Sequence, residues 1–355
     1  MINQKMHKPQ DLQNRSFFMF NNPFRSISPK GLSPKSNLTP DLKDILEQFE
    51  QIIDERLRSL IPKSRNDVST FKWVKSAIET LCAIQGDIRH LILKLELPIT
   101  NWDEKWVELY LDTTVKLLDI CIAFSSEIMR INQGNLFLQC VSHTLETDAS
   151  NQFSRARPSL TAWTQMVSVT NPRMENCSKL VGSLLESIDI PTGKVSGKGK
   201  VLMSGMYGVR VVTVHLCSVF ATLLTGDCSN MVEVKASDMF AWAATVKELQ
   251  SVVNGSLREV VKERKVAILD EVNAVDVAVK SLQRVVLGGK LGNEVRELKE
   301  GVEKLAHVVD VLEKEVDSLF KVVMGGRDAL LSSLRSASIP QQNKFVPFRK
   351  PQKVL

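Results

Sequence analysis

Residues 193–200 combine glycine and lysine in a way that could bind an anion. They read GKVSGKGK and precede a long apolar stretch. Exposed N–H groups at a helix start attract anions, so Lys194, Lys198 and Lys200 are candidate anion contacts. The phosphate-loop pattern G-x-x-x-x-G-K-[ST] is not matched, because Lys198 is followed by glycine. We therefore expect 191–200 to be a solvated linker, with anion contact as the alternative.

The histidine and serine spacings do not indicate catalysis or metal binding. The five histidines lie singly at positions 7, 90, 143, 215 and 307. No HExxH, Glu-x-x-His, G-x-S-x-G or G-x-G-x-x-G spacing occurs in the chain. The sequence therefore predicts no catalytic residue, no metal and no cofactor. His90 and His143 are expected at helix surfaces or in satisfied hydrogen bonds.

Six cysteines are spread singly along the chain. They stand at positions 82, 121, 140, 177, 217 and 228, without a C-x-x-C pair. Each falls in an apolar or helical stretch. We therefore expect buried, reduced thiols in a reducing compartment.

The excess positive charge belongs to the two ends of the chain. The formal net charge is +6, with +5 in residues 1–40 and +4 in residues 339–355. The remaining body carries −3. It offers no basic face for nucleic acid, so no nucleic-acid partner is predicted.

Both ends interleave aromatic and basic residues, as Phe345, Phe348 and Arg349 illustrate. We expect ordinary solubilising tails, and contact with an anionic membrane surface, which this composition suits, is the alternative. The N-terminal arm also holds two Ser-Pro-Lys sites, at Ser28 and Ser33. Phosphorylation would add about −1.5 to −2 charges at each site, enough to offset much of the positive charge of the arm.

The elements that must position any site are helices. Apolar residues recur at helical spacing from Leu42 onward, and no sustained period-two alternation is present. Thr39-Pro40 and Asn171-Pro172 are start signals, a capping residue followed by proline. We expect a third helix from Asn101 to Gly134, then shorter helices near 136–146 and 152–168. The prediction is an all-α, elongated multi-helix bundle over 39–338, between disordered basic tails at 1–38 and 339–355.

The most regular pattern lies near the C-terminus. From Val295 to Val323, apolar residues alternate at spacings of three and four, and Ile268 to Val286 show a similar run. Such a stripe is typical of coiled-coil packing. Gly288, Gly289 and Gly292 between the runs permit a reversal. We therefore predict an antiparallel coiled-coil-like helical hairpin over 265–335, with a homodimer through the same heptads as the alternative.

One stretch raises the question of a membrane. Val211 to Leu224 is a 14-residue run without Asp, Glu, Lys or Arg, in which His215 lies. A span needs about 20 mostly apolar residues, and extension to Val201 includes Arg210. A buried core helix is the expected structure, and a single membrane span is the alternative.

Several segments together resemble the plant BYPASS family over most of the chain. They include Phe20-Asn21-Asn22-Pro23-Phe24-Arg25, Trp102-Asp103-Glu104-Lys105-Trp106-Val107, Ala123-Phe124-Ser125-Ser126-Glu127, Asn132-Gln133-Gly134, Asn171-Pro172-Arg173, Lys198-Gly199-Lys200-Val201-Leu202-Met203 and Gly326-Arg327-Asp328. The resemblance implies a role in plant root and shoot development. More specifically, it implies restraint of a root-made mobile signal, for which a carotenoid-derived molecule is one candidate. It carries over no catalytic residue, because the family is not tied to a defined reaction.

These observations favour a non-enzymatic interaction protein that regulates development through an unknown protein partner. Two alternatives are a membrane-anchored scaffold in signalling or trafficking, and an enzyme or binder of an apolar signal precursor. The expected location is the cytoplasm, and association with a membrane is an alternative. Plastid import is a further alternative, because the N-terminus is Ser-rich and poor in acids.

Overall fold

Every regular element that the structure describes is a helix. The computed structural model describes residues 35, 37–95, 104–146, 152–186, 197–264, 268–286 and 293–337, which belong to one compact unit. The helices are α1 (Pro40–Leu60), α2 (Phe71–Lys94), α3 (Glu104–Glu146), α4 (Gln152–Ser168), α5 (Pro172–Glu186), α6 (Gly197–Thr225), α7 (Ala243–Arg264), α8 (Asp270–Val286) and α9 (Glu294–Ala337). Short 3-10 turns lie at Arg65–Ser69 and Cys228–Asn230. The all-α prediction is confirmed, and the predicted tails lie outside the described residues, apart from Lys35, Asn37 and Leu38.

The two predicted start signals mark the positions where helices begin. Helix α1 begins at Pro40, and α5 begins at Pro172. Asn171 caps α5, because its Oδ1 accepts a hydrogen bond from the Arg173 N–H at 3.0 Å. Thr39 occupies the N-cap of α1, but its side chain makes no capping hydrogen bond among the described residues. The proline therefore marks the start of α1 more reliably than the hydroxyl.

Helix α3 does not end at Gly134, as the sequence suggested, but continues to Glu146. A Cβ at position 134 would lie 3.0 Å from Trp163 Cε3 and would overlap the Met166 methyl group. Gly134 therefore lets α4 cross α3 closely and does not stop the helix. The predicted helix at 136–146 is the second half of α3. Helix α4 is likewise continuous, with Pro158 inside it.

Helix α6 occupies the centre of the bundle. All residues from Val201 to Leu223 are buried, against α1, α2, α3, α5 and α7. In the described residues it is the one helix long and apolar enough to span a membrane, and 89% of its most apolar window is buried inside the protein. This burial favours the core-helix interpretation over a span. The helix begins at Gly197, so residues 197–200 of the predicted linker are helical, whereas 191–196 lie outside the described part.

Two polar side chains on α6, those of Thr213 and Arg210, make hydrogen bonds within the core. The Thr213 hydroxyl donates to the Val209 carbonyl at 2.7 Å and accepts from Gln85 Nε2 of α2 at 3.0 Å. One Arg210 guanidinium nitrogen lies 3.4 Å from the Leu184 carbonyl of α5. These bonds offset the cost of placing polar groups away from water.

The C-terminal heptad stripe is buried within the chain itself. From Leu298 to Val323, the stripe faces the core that α9 forms with α2, α3 and α8. Helices α8 and α9 pack closely, since a Cβ at Gly301 would lie 3.2 Å from Val275 Cγ2. The stripe is therefore part of a core to which several helices contribute. A homodimer through the same residues would require them to leave these contacts.

Helices α3 and α9 run antiparallel along most of their length. Asn135 Nδ2 of α3 donates to the Val302 carbonyl at 3.2 Å. Near one end, Lys299 pairs with Glu146 at 2.6 Å. Near the other end, the Tyr110 hydroxyl lies beside Gly326, 2.8 Å from the position of an added Cβ. Consequently the end of α9 lies level with the start of α3.

Two glycine substitutions should have opposite effects on stability. Gly134→Ala should lower the free energy of unfolding by about 1–3 kcal/mol, because the new methyl group overlaps Trp163 and Met166. Gly86→Ala, in α2, should raise it by about 1 kcal/mol, because nothing lies within 4 Å of the added Cβ. Urea denaturation of both variants measures the difference. Equal effects of the two substitutions would contradict the proposed role of Gly134.

His215 lies at the centre of α6 and is 1% exposed. Neither ring nitrogen has a hydrogen-bond partner in the described residues. Burial disfavours the charged ring and lowers the His215 pKa from 6.5 to about 4. The unfolded chain therefore takes up a proton below pH 6.5, whereas the folded chain does so only near pH 4.

This difference predicts acid sensitivity. Between pH 7 and pH 5 the free energy of unfolding should fall by roughly 2 kcal/mol on account of His215 alone, and above pH 7 His215 should add nothing to its pH dependence. His215→Leu should remove that part of the pH dependence. Urea denaturation at pH 7, 6 and 5 tests this, and identical slopes for the variant and the native chain would refute it.

Candidate functional site

The residues singled out in the sequence do not converge. Lys198 and Lys200 lie half-buried in the first turn of α6, whereas Lys194 lies outside the described residues. Ser28 and Ser33 also lie outside them. The predicted anion contacts and phosphorylation sites therefore remain predictions.

The prediction for the two histidines is correct, whereas the prediction of buried cysteines holds for three of the six, since Cys82 and Cys228 are only half-buried. His90 and His143 lie exposed on helix surfaces. Cys121, Cys177 and Cys217 are buried thiols, and burial raises the pKa of Cys121 and of Cys177 to about 12. Cys140, however, is exposed on the outer face of α3, so the prediction for that residue is wrong. No group of three or more His, Cys, Asp or Glu side chains able to hold a metal occurs in the described part of the chain.

A cleft of about 290 Å³ lies where four parts of the chain meet. Its walls come from α3, the α4–α5 connection, the end of α6 and the start of α8. Leu224, Leu269 and Val272 supply apolar walls, while Glu127 and Arg130 supply charge. A cleft of this size with both apolar and polar walls could hold a small molecule.

The charged part of the cleft joins three helices. Glu127 is only 2% exposed. Its carboxylate accepts hydrogen bonds from Arg130, with Nε at 2.9 Å, and from Asn171 Nδ2 at 3.0 Å. Arg130 also donates to the Met166 carbonyl at the end of α4. The network therefore ties α3 to the end of α4 and the start of α5.

This arrangement is suited to binding and positioning. Three of the five N–H donors of Arg130 are used by Glu127 and Met166. Because Glu127 and Arg130 neutralise each other, the cleft favours a neutral ligand with a hydrogen-bond acceptor over a strongly charged one. Neither residue was predicted as a site residue, because the partners that give them this role lie about 40 residues away. The one available signal was the family-like segment 123–127, which ends at Glu127.

A second concavity, of about 710 Å³, lies between α3 and α9. We call it the α3–α9 groove. Ile122, Ser125 and Met129 of α3 line one side, and Phe320 of α9 lies opposite. The rim carries charged residues of α9 and α5, namely Asp310, Glu313, Lys314, Asp317 and Arg173.

The exposed face of α3 carries an apolar row that runs through this groove. Val115, Ile122, Met129 and Leu136 are spaced seven residues apart, and their exposed fractions range from 40% to 63%. A seven-residue spacing places them in line along one helix face. The spacing is visible in the sequence, but α3 is apolar on most faces, so only the structure shows which stripe faces outward.

Two of the family-like segments meet between the cleft and the groove. Asn171 Nδ2 lies 3.0 Å from Glu127 in the cleft and 3.4 Å from the Ser126 hydroxyl on the groove side. Arg173, two residues further on, lies on the rim of the groove. The segment 123–127 and the segment 171–173 therefore form a common wall.

Comparisons with known proteins identify the family of the chain. The family model described as "Protein BPS1" matches residues 76–332. The Arabidopsis thaliana protein named "Protein BPS1, chloroplastic" is 40% identical over 332 residues, which cover 93% of this chain and 94% of that protein. "UPF0496 protein 4" of Oryza sativa subsp. indica is 36% identical over 308 residues, 86% of this chain and 65% of that protein. No solved structure matches the chain.

The fold and its two concavities define an all-α protein wrapped around one buried helix. The chain belongs to the BPS1 family, as the resemblance to the BYPASS proteins predicted. Membership supports a plant developmental regulatory protein.

Loss of the Glu127 carboxylate should destabilise the wall between cleft and groove. Glu127→Ala should lower the free energy of unfolding by about 2–4 kcal/mol, because it leaves Arg130 without its acidic partner in a largely buried position. Asp310→Ala is the matched control, since it removes an exposed pair with Lys314 and should cost less than about 1 kcal/mol. Urea denaturation compares the two. A larger loss for Asp310→Ala would contradict the structural role of Glu127.

Proposed function

We propose that this protein is a non-enzymatic interaction protein that restrains the production of a root-derived mobile signal controlling shoot growth. A carotenoid-derived molecule is one candidate for that signal. Family membership supports the developmental part of the proposal. The interaction part rests on the exposed apolar row of α3, because contiguous exposed apolar surface commonly marks a contact with another molecule.

The polar groups of the cleft support a binding role over a catalytic one. Glu127 and Arg130 are engaged with each other and with Asn171 and the Met166 carbonyl. A general acid or base needs a proton site directed at a substrate. The observed bonds instead hold three helices in register.

Reciprocal grafting in a plant tests the proposed function. Wild-type shoots on roots that lack this protein should arrest, and expression of the chain in those roots should restore shoot growth. Shoots that lack the protein should grow normally on wild-type roots. Arrest of mutant shoots on wild-type roots would refute an action on a root-made signal.

The cleft supports a second candidate, a binder or enzyme that acts on an apolar signal precursor. Its mixed walls and its volume of about 290 Å³ are compatible with a small amphiphile. Expression of the Glu127→Gln protein in roots that lack the native protein, in the same grafting experiment, separates the interaction protein from the binder or enzyme. Normal rescue by a folded Glu127→Gln protein supports the scaffold, whereas loss of rescue without loss of helicity supports the cleft.

We propose that the protein acts in the cytoplasm and that its basic tails contact an anionic membrane surface. The name of the Arabidopsis relative instead contains the word "chloroplastic". Burial of α6 supports a peripheral contact over a single-span anchor. A fluorescent protein fused to the C-terminus, with and without residues 1–38, distinguishes the compartments. Plastid fluorescence that depends on residues 1–38 would overturn the cytoplasmic proposal.

A further inference from the structure

The α3–α9 groove has a floor and a rim that fit an apolar, basic peptide. Ile122 and Met129 expose 45% and 63% of their surface on its floor. Its rim carries three carboxylates, those of Asp310, Glu313 and Asp317, against the cations Lys314 and Arg173. The lining is therefore apolar in the middle and carries a net charge of −1 at the edge. There Asp310 pairs with Lys314 and Asp317 with Lys321, whereas Glu313 is in neither pair.

Such a peptide follows directly after α9. Residues 338–355, which lie outside the described part, contain no acid and four basic residues. They also contain Phe345 and Phe348, and Phe348 is followed directly by Arg349 and Lys350. The three prolines at 340, 347 and 351 disfavour helix and suit an extended segment.

Measured from Ala337, the levels of Val115 and Ile122 match the distances that an extended chain covers to Phe345 and Phe348. Asn135 pairs with Val302, and Tyr110 with Gly326, across the antiparallel helices α3 and α9. Counting residues between these pairs places Val115 level with Lys321. It places Ile122 level with Lys314. These levels lie about 24 Å and 35 Å back from Ala337, at about 1.5 Å per helical residue. An extended proline-bearing chain that folds back from Ala337 covers about 25 Å to Phe345 and about 34 Å to Phe348, at about 3.1 Å per residue.

The two basic residues that follow Phe348 then lie level with acidic residues of α9. At the same advance, Arg349 and Lys350 reach about 37 Å and 40 Å from Ala337. Those levels correspond to Glu313 and Asp310 on the rim of α9. Asp310 pairs with Lys314 across an exposed contact of 2.7 Å, which a second cation can join or replace at little cost.

We propose that the C-terminal segment 338–355 folds back into the α3–α9 groove, with Phe345 and Phe348 on the apolar row of α3 and Arg349 and Lys350 against the acidic rim. The N-terminal arm is the less favourable occupant, since it leads into α1, which packs on α2, α6 and α7. A partner that binds the groove must displace this segment, a regulatory consequence that rests on the proposed function. The same phenylalanines and cations cannot contact a membrane while they lie in the groove.

Oxidation of Met129 in the purified full-length chain tests the contact. Dilute peroxide should oxidise Met129 several-fold faster in Phe345→Ser/Phe348→Ser than in the native chain, as measured by mass spectrometry. Phe17→Ser/Phe18→Ser is the matched control, because it removes two phenylalanines from the other basic end and should leave the rate unchanged. Unfolding curves confirm that all three proteins are equally folded.

A charge exchange tests the register. Glu313→Lys and Arg349→Glu should each speed Met129 oxidation, and the double variant should restore protection. Equal oxidation rates in the native chain and in Phe345→Ser/Phe348→Ser would overturn the proposal. So would faster oxidation in the Phe17→Ser/Phe18→Ser control, or protection that disappears on dilution, since these indicate the N-terminal arm or a second copy. The grafting outcome does not depend on any of these results.

Discussion

The burial of α6 along its whole length is the constraint on which the rest of the fold depends. A helix that is apolar on all faces must be covered on all sides, and α1, α2, α3, α5 and α7 provide that cover. Close approach requires small residues. A Cβ at Gly205 would lie 3.2 Å from Phe49 of α1, and one at Gly208 would lie 3.0 Å from Ile53. The amphipathic outer helices therefore owe their arrangement to a central helix that cannot face water.

This central position also explains the polar residues that made α6 ambiguous in the sequence. Arg210 reaches a carbonyl of α5, and Thr213 bonds both its own helix and Gln85 of α2. A lipid environment would offer no such partners, whereas neighbouring helices do. His215 is the exception, and its neutral form at pH 7 follows from burial alone. Composition and length could not separate a core helix from a span, because both require the same apolar run.

Local signals in the sequence were sufficient for the elements but not for their contacts. The cap-and-proline pairs at Thr39 and Asn171 correctly marked two helix starts, and the heptad stripe correctly marked α9 as one long helix. Gly134 was misread because its role depends on Trp163, almost 30 residues further along the chain. Cys140 was mispredicted for a related reason. The helices that cover α3 leave the side chains of Cys140 and Met129 on its exposed face. Which stripe of an apolar helix faces solvent is decided by its neighbours, and periodicity alone cannot supply that information.

The candidate site illustrates the same limit and shows how the parts are joined. Glu127 and Asn171 are separated by 44 residues, yet one hydrogen bond of 3.0 Å connects them. Because Asn171 also caps α5, it fixes the position of the first turn of that helix, which carries Arg173. The cleft lies on one side of the contact between Glu127 and Asn171, and the groove lies on the other. The wall between the two concavities therefore depends on Asn171, which contacts Glu127 on one side and positions the turn that carries Arg173 on the other.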